Sequence, residues 1–161
     1  MRELYHGTLA QNVPSIIKSG LLLQKGLWTS DFHSDASELV YAVDDSHRGK
    51  LITIITGQIA KCGLLRCSDN YLFDDFKADL MQHGAVVIIR AAAIFRRYPD
   101  HFESGHPPGT EPGDWYSREP VSVDNIQRIM TGQGMLDWLE PSECDFTHRL
   151  RDILCSERSP D

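Results

Sequence analysis

The chain has no apolar run of the roughly 18 residues that a membrane-spanning helix needs. It has no charged-then-apolar opening of the secretory kind after Met1-Arg2-Glu3-Leu4. A cytoplasmic location is therefore expected, or delivery into a target cell's cytoplasm, with reduced thiols in either case. It has no Cys-x-x-Cys pair: Cys62, Cys67, Cys144 and Cys155 are scattered. Cys62, Cys67, Cys144 and His148 match no common zinc spacing, so no metal site is expected. Repeats and low-complexity tracts are absent. Positive charge is scarce, with 16 Lys and Arg against 23 Asp and Glu, a net charge of −7. Such a surface repels phosphate backbones over a Debye length and disfavours broad nucleic-acid binding. Arg90, Arg96, Arg97 and Arg118 could still build a local basic patch.

What is present suits one folded domain: 161 residues, 41% of them hydrophobic, enough for a core. Residues 3–5 predict a strand. Residues 13–19 predict a short helix, with Asn12 as cap, Pro14 in the first turn and Gly20 as stop. Residues 27–30 predict a second strand. Asp35-Ala36-Ser37-Glu38 has the form of a capping box and predicts a helix to about residue 43. The β-branched run 51–56 predicts a buried strand. Residues 72–83 carry helical periodicity through Leu72, Phe76 and Leu80, with Gly84 as stop, and 86–89 predict another buried strand. Residues 99–114 hold Pro107, Pro108, Pro112 and three glycines, and read as an exposed, ordered loop. A strand-like segment over 115–123, a β segment or helical turn over 125–130 and a terminal helix over 144–155 complete an α+β domain.

Three segments carry candidate chemistry. In His6-Gly7-Thr8, the glycine has no Cβ, so its backbone can approach a flat carboxamide and pair with it through N–H and C=O. The histidine beside it can donate to a hydroxyl. In Gly26-Leu27-Trp28-Thr29-Ser30-Asp31, Trp28 can stack on an aromatic ligand. Ser37 and Tyr41, four apart on the expected helix, would share a face. In Trp115-Tyr116-Ser117-Arg118-Glu119-Pro120-Val121, Glu119 opens an expected strand. Glu111, in the preceding loop, is the rival carboxylate. A strand holds such a group more rigidly than a Pro/Gly loop does, which favours Glu119.

Taken in order, these segments resemble the ADP-ribosyltransferase superfamily, on the side with a His-first triad. That side includes poly(ADP-ribose) polymerases, DNA-modifying toxin transferases and tRNA 2′-phosphotransferases. The resemblance covers about residues 1–130: His-Gly-Thr, helix, Gly-Leu, aromatic strand, helix, loop, Glu strand. It implies a split, curved β-sheet core with short helices and an NAD cleft; beyond it the sequence pattern predicts a helical extension over about 136–156. It implies that His6, Gly7, Thr8, Trp28, Ser30, Ser37 and Tyr41 hold NAD and that Glu119, with His6, is catalytic. Trp28 stands where the family has a tyrosine, and it offers no phenolic hydroxyl. The activity implied is mono-ADP-ribosyl transfer from NAD, with release of nicotinamide, to a macromolecular acceptor read by loop 99–115. A protein acceptor is preferred, and a toxin or effector role suits the size. Transfer to nucleic acid or RNA 2′-phosphate transfer is the alternative. A degenerate NAD- or ADP-ribose-binding module is a third reading.

Overall fold

The structure is a computed structural model that describes residues 3–25, 38–66, 71–90, 94–97 and 114–146. Among these residues the strands are β1 (Leu4–Leu9), β2 (Gln24–Lys25), β3 (Glu38–Val43), β4 (Gly84–Ile89), β5 (Arg96–Arg97), β6 (Asp114–Ser117) and β7 (Ile126–Thr131). The helices are α1 (Val13–Ser19), α2 (Gly49–Lys61), α3 (Phe73–His83) and α4 (Gly132–Leu139). The class is α+β. An open antiparallel sheet runs β5-β6-β3-β1-β4-β7, and β2 pairs with β3 off this path.

The chain divides into two compact units. The first comprises Met1–His6, Pro14–His47 and Ile88–Arg128. Its centre is β3, which pairs with β1 through Tyr5 and Val43 and with β6 through Tyr41–Tyr116 and Ala42–Trp115. On the far side of β6, β5 aligns Arg96 with Tyr116 and Arg97 with Trp115. Leu39 and Tyr116 pack together in this unit with Tyr41 against them.

Helix α1 ends as the sequence dictates. Gly20 takes φ +75°, its N–H donates to the Ile16 carbonyl at 2.8 Å, and Leu21 then pairs with Val121. A Cβ on Gly20 would lie 2.1 Å from the Val121 carbonyl oxygen. Gly20→Ala is therefore expected to cost roughly 2–5 kcal/mol, from left-handed strain plus overpacking. An unchanged urea midpoint for that variant would show that the turn adjusts freely.

The second unit comprises Gly7–Val13, Arg48–Val87 and Ile129–Asp161. Its core joins Leu51, Ile52, Ile55 and Ile59 of α2 to Phe76 and Leu80 of α3 and to Met135 and Leu139 of α4. Asp75 accepts from the Leu72 N–H and so caps α3. Gly84 is extended, at φ −95°, and starts β4 directly. Only a glycine fits there: a Cβ would sit 2.8 Å from both the Ile55 side chain and the Leu80 carbonyl.

Several expectations are corrected. Residues 38–43 form a strand, not a helix, because Leu39, Val40, Ala42 and Val43 are buried between two paired neighbours. Sheet pairing outweighs the apparent capping box. Residues 51–56 lie inside α2, not in a strand. Leu51, Ile55 and Ile59 recur at helical spacing and are all buried, and the pattern continues to Lys61. Strand β1 extends through Leu9, so His6, Gly7 and Thr8 lie within a strand and not at its exit. The strand over 115–123 stops at Ser117; residues 118–119 form a bend, and Val123–Asn125 a 3-10 turn. Asn12 lies in the 3-10 turn Ala10–Asn12, and its side-chain amide donates to the Thr8 hydroxyl. Of the helical extension over 136–156, α4 ends at Leu139, a short helical turn follows at 143–146, and the remainder lies outside the described residues.

Candidate active site

His6 is half-buried on β1, and its Nδ1 lies 2.7 Å from the Tyr41 carbonyl of β3. A carbonyl only accepts, so Nδ1 carries the hydrogen. Burial lowers the His6 pKa, and the Tyr41 hydrogen bond only partly opposes that. The ring is thus neutral near pH 7, with its tautomer fixed and Nε2 left as an acceptor. The expectation that His6 donates to a hydroxyl is accordingly corrected: in this state Nε2 carries no hydrogen and can only accept.

Gly7 is buried in the second unit, and the close approach that its missing Cβ permits is made by α2. A Cβ would lie 3.0 Å from Ile55 and 3.2 Å from Leu51. Its carbonyl accepts from the side-chain amide of Gln58 at 3.1 Å. A carboxamide already sits on this carbonyl, and it belongs to the protein. Thr8 is buried, and its hydroxyl accepts from Asn12 at 3.1 Å. Tyr41, on β3, is half-buried against Leu39 and Tyr116. It shares no helix face with Ser37, since residue 41 is in a strand.

Glu119 is exposed on the bend after β6. Its N–H donates to the Ser117 hydroxyl at 3.0 Å, and that hydroxyl donates back to the Glu119 carbonyl at 2.8 Å. The Ser117 side chain, itself buried, thus fixes the backbone from which the carboxylate projects. Because Ser117 pairs with Val40, Glu119 lies beyond the Glu38 end of β3, while His6 is beside Tyr41 and Ala42. No hydrogen bond joins His6 and Glu119. Trp28, Ser30, Ser37 and Glu111 lie outside the described residues, as does the acceptor loop up to residue 113.

No protein-family model, curated protein or solved structure matches the chain. The residues themselves carry the functional reading.

The structure adds a group that the sequence reading passed over. Trp115, where the expected acceptor loop 99–115 meets the expected strand-like segment 115–123, is part of β6, and its Nε1–H donates to Asp44 Oδ2 at 3.2 Å. Asp44 Oδ1 accepts from the Ser46 hydroxyl at 2.7 Å and from His47 Nδ1 at 2.9 Å. Burial works to raise the Asp44 pKa, but the bonds from His47, Ser46 and Trp115 outweigh it and bring it down to about 2. The signal was local: Asp44-Asp45-Ser46-His47, a polar quartet directly after an apolar run.

Arg96 and Arg97 are exposed on β5, and Arg118 follows β6. The Arg97 guanidinium lies 5.8 Å from the Trp115 ring centroid and that of Arg118 lies 5.6 Å from the Tyr116 centroid. Arg90 is elsewhere: its Nε donates to Gln127 of β7 at 3.0 Å, and its N–H to the Asn125 carbonyl. Among the described residues no group of three or more His, Cys, Asp or Glu is arranged to hold a metal ion, and no helix is long and apolar enough to cross a membrane. Cys62 and Cys144 are exposed and in no disulfide, while Cys67 and His148 lie outside the described residues.

Proposed function

We propose that the chain is an NAD-dependent mono-ADP-ribosyltransferase with a core of the ADP-ribosyltransferase type, acting on a macromolecular acceptor, preferably a protein. The observation that carries this reading is the fixed, neutral His6, anchored through Nδ1 to the neighbouring strand so that Nε2 is an acceptor. A ribose hydroxyl is a donor of the right kind for it. Breaking the nicotinamide–ribose bond develops oxocarbenium character at the anomeric carbon. The Glu119 carboxylate would stabilise that charge by bonding the ribose 2′-hydroxyl, and would orient the incoming nucleophile. Tyr41 contributes its backbone carbonyl to the anchoring of His6; its ring lies on the other face of the sheet, because His6 stands opposite Ala42. Of the described residues assigned to NAD, His6 fits a bound ligand as it stands, whereas the Tyr41 ring packs against Leu39 and Tyr116 on the other face of the sheet. Gly7 fits only if the Gln58 amide gives up its carbonyl.

One observation favours a second reading, transfer to nucleic acid: Arg96, Arg97 and Arg118 are exposed on and beside the paired strands β5 and β6. Incubating the protein with NAD labelled in the adenylate half and a cell lysate separates the two. Label released by protease supports a protein acceptor, and label released by nuclease supports the second reading. No label on any macromolecule counts against both.

His6→Ala should weaken NAD binding about tenfold, the worth of one hydrogen bond, and lower transfer with it. Calorimetry on the variant checks this. Unchanged affinity together with unchanged transfer would make His6 a structural residue.

A further inference from the structure

We infer that Ser117 is the positioning residue of Glu119: its buried hydroxyl, together with Pro120, holds the bend from which the carboxylate is aimed. The inference rests on the transferase reading above and names the part of that site which sets the direction of its carboxylate.

The bend is pinned at both ends. On one side Ser117 closes β6 and pairs with Val40 of β3. On the other, Val121 and Leu21 exchange both backbone hydrogen bonds at 2.9 Å. Ser117, Val40, Leu21 and Val121 are all buried. Gly20 abuts the Val121 carbonyl so closely that no Cβ fits between them. Arg118, Glu119 and Pro120 cross between these anchors, and all three are exposed.

Little backbone freedom is left within those three residues. The pyrrolidine ring fixes φ of Pro120. It also keeps Glu119, the residue before it, out of the helical region. The Ser117 hydroxyl then takes both polar groups of the Glu119 backbone. It accepts from the N–H at 3.0 Å and donates to the C=O at 2.8 Å. One oxygen thus holds Glu119 on either side of its Cα, which fixes the direction of the Cα–Cβ bond. Only the side-chain rotamers remain for a ligand to select.

The carboxylate itself is spared. Among the described residues no hydrogen bond or ion pair engages it, while its backbone is bonded twice. The neighbouring cation is directed elsewhere: the Arg118 guanidinium lies over the Tyr116 ring, 5.6 Å from its centroid. A surface bend needs no such hold on the residue at its tip. A carboxylate that must meet developing charge does, because a misplacement of about 1 Å can cost about 10²-fold in rate. Reacting groups are accordingly held to within roughly 0.5 Å by residues that do not touch the substrate. Ser117 fits that description, since its hydroxyl is turned to the Glu119 backbone and is buried.

The test measures nicotinamide release from NAD by the full chain, with NAD affinity by calorimetry. Ser117→Ala removes the hydroxyl and should lower kcat about tenfold, with NAD affinity held within about twofold. Ser117→Thr keeps the hydroxyl and should recover most of that loss. A double-mutant cycle separates positioning from a general structural role. In the Glu119→Gln background, Ser117→Ala should lower kcat by less than about twofold, because the carboxylate that it aims is gone. A merely structural serine would lower kcat equally in both backgrounds. Pro120→Ala, at an exposed position, should lower kcat about threefold with NAD affinity unchanged. Wild-type kcat in Ser117→Ala, or an equal fall in both backgrounds, overturns the inference and leaves the transferase reading standing. Should Ser117→Ala not fold, Pro120→Ala decides, and wild-type kcat there overturns the inference. A wild-type protein that neither binds NAD nor releases nicotinamide overturns both.

Discussion

Glu119→Gln is expected to lower nicotinamide release and acceptor labelling by roughly 10²- to 10³-fold, the usual cost of removing one group that stabilises developing charge. The substitution keeps the shape of the side chain and removes its charge. Glu119 is exposed, and its ties to the fold run through its backbone N–H and carbonyl to Ser117, which glutamine preserves. Folding should therefore be unaffected. The loss should fall on kcat more than on NAD affinity, because the positive charge that the carboxylate meets exists only near the transition state. Steady-state kinetics with calorimetry separate the two. Near-wild-type turnover in Glu119→Gln removes the assignment and makes Glu111 the next candidate.

The largest expected effect on stability is at Asp79. This carboxylate is fully buried on α3 and accepts from the Arg66 N–H at 3.0 Å, from Arg66 Nε at 2.7 Å and from the Tyr71 hydroxyl at 2.5 Å. It ties Arg66 and Tyr71, which flank the end of α2 and the start of α3, onto the helix that supplies Phe76 and Leu80 to the core. Tyr71 in turn stands 6.0 Å from Phe146, whose ring is 5.4 Å from that of Phe76. Asp79→Ala removes the buried carboxylate that the half-buried Tyr71 hydroxyl and the Arg66 N–H donate to, and opens a hole beside Phe76 and Leu80. A loss of about 3–5 kcal/mol is expected, or a fall of roughly 6–20 °C in Tm for a chain of this size. Thermal unfolding followed by circular dichroism checks it, and a fall of under about 2 °C would mean that water replaces the carboxylate without cost.

Elements with strong local signals were legible in the sequence. Helix α1 was bounded by Pro14 and Gly20, α3 by its periodicity and Gly84, and β4 by its unbroken apolar run. The failures share one cause. Runs such as Leu51 to Thr56 and Leu39 to Val43 are apolar whether read with period 3.6 or period 2. Only the partner surface decides between them: α3 and α4 for the first, β1 and β6 for the second. The Asp35–Glu38 capping pattern then misled because tertiary pairing outweighs a cap worth about 1 kcal/mol.

The site was legible to a similar degree. His6 and Glu119 could be singled out from their neighbours in sequence. Which nitrogen of His6 is engaged depends on a carbonyl 35 residues away, and no local pattern encodes that. Asp44 and His47 carried a local signal, the polar quartet 44–47, but not the bond that joins them to another strand. Their significance comes from Trp115, 71 residues on from Asp44, reaching across from β6. Gly7 illustrates the converse: a glycine whose bareness suggested a ligand is bare because α2 passes over it.

The most direct test is the release of free nicotinamide from NAD by the purified chain, with Glu119→Gln and His6→Ala run beside it. Time-dependent release by the wild-type protein, strongly reduced in the first variant and weakened through NAD affinity in the second, is the expected result. No binding of NAD and no release by a folded wild-type protein would contradict it.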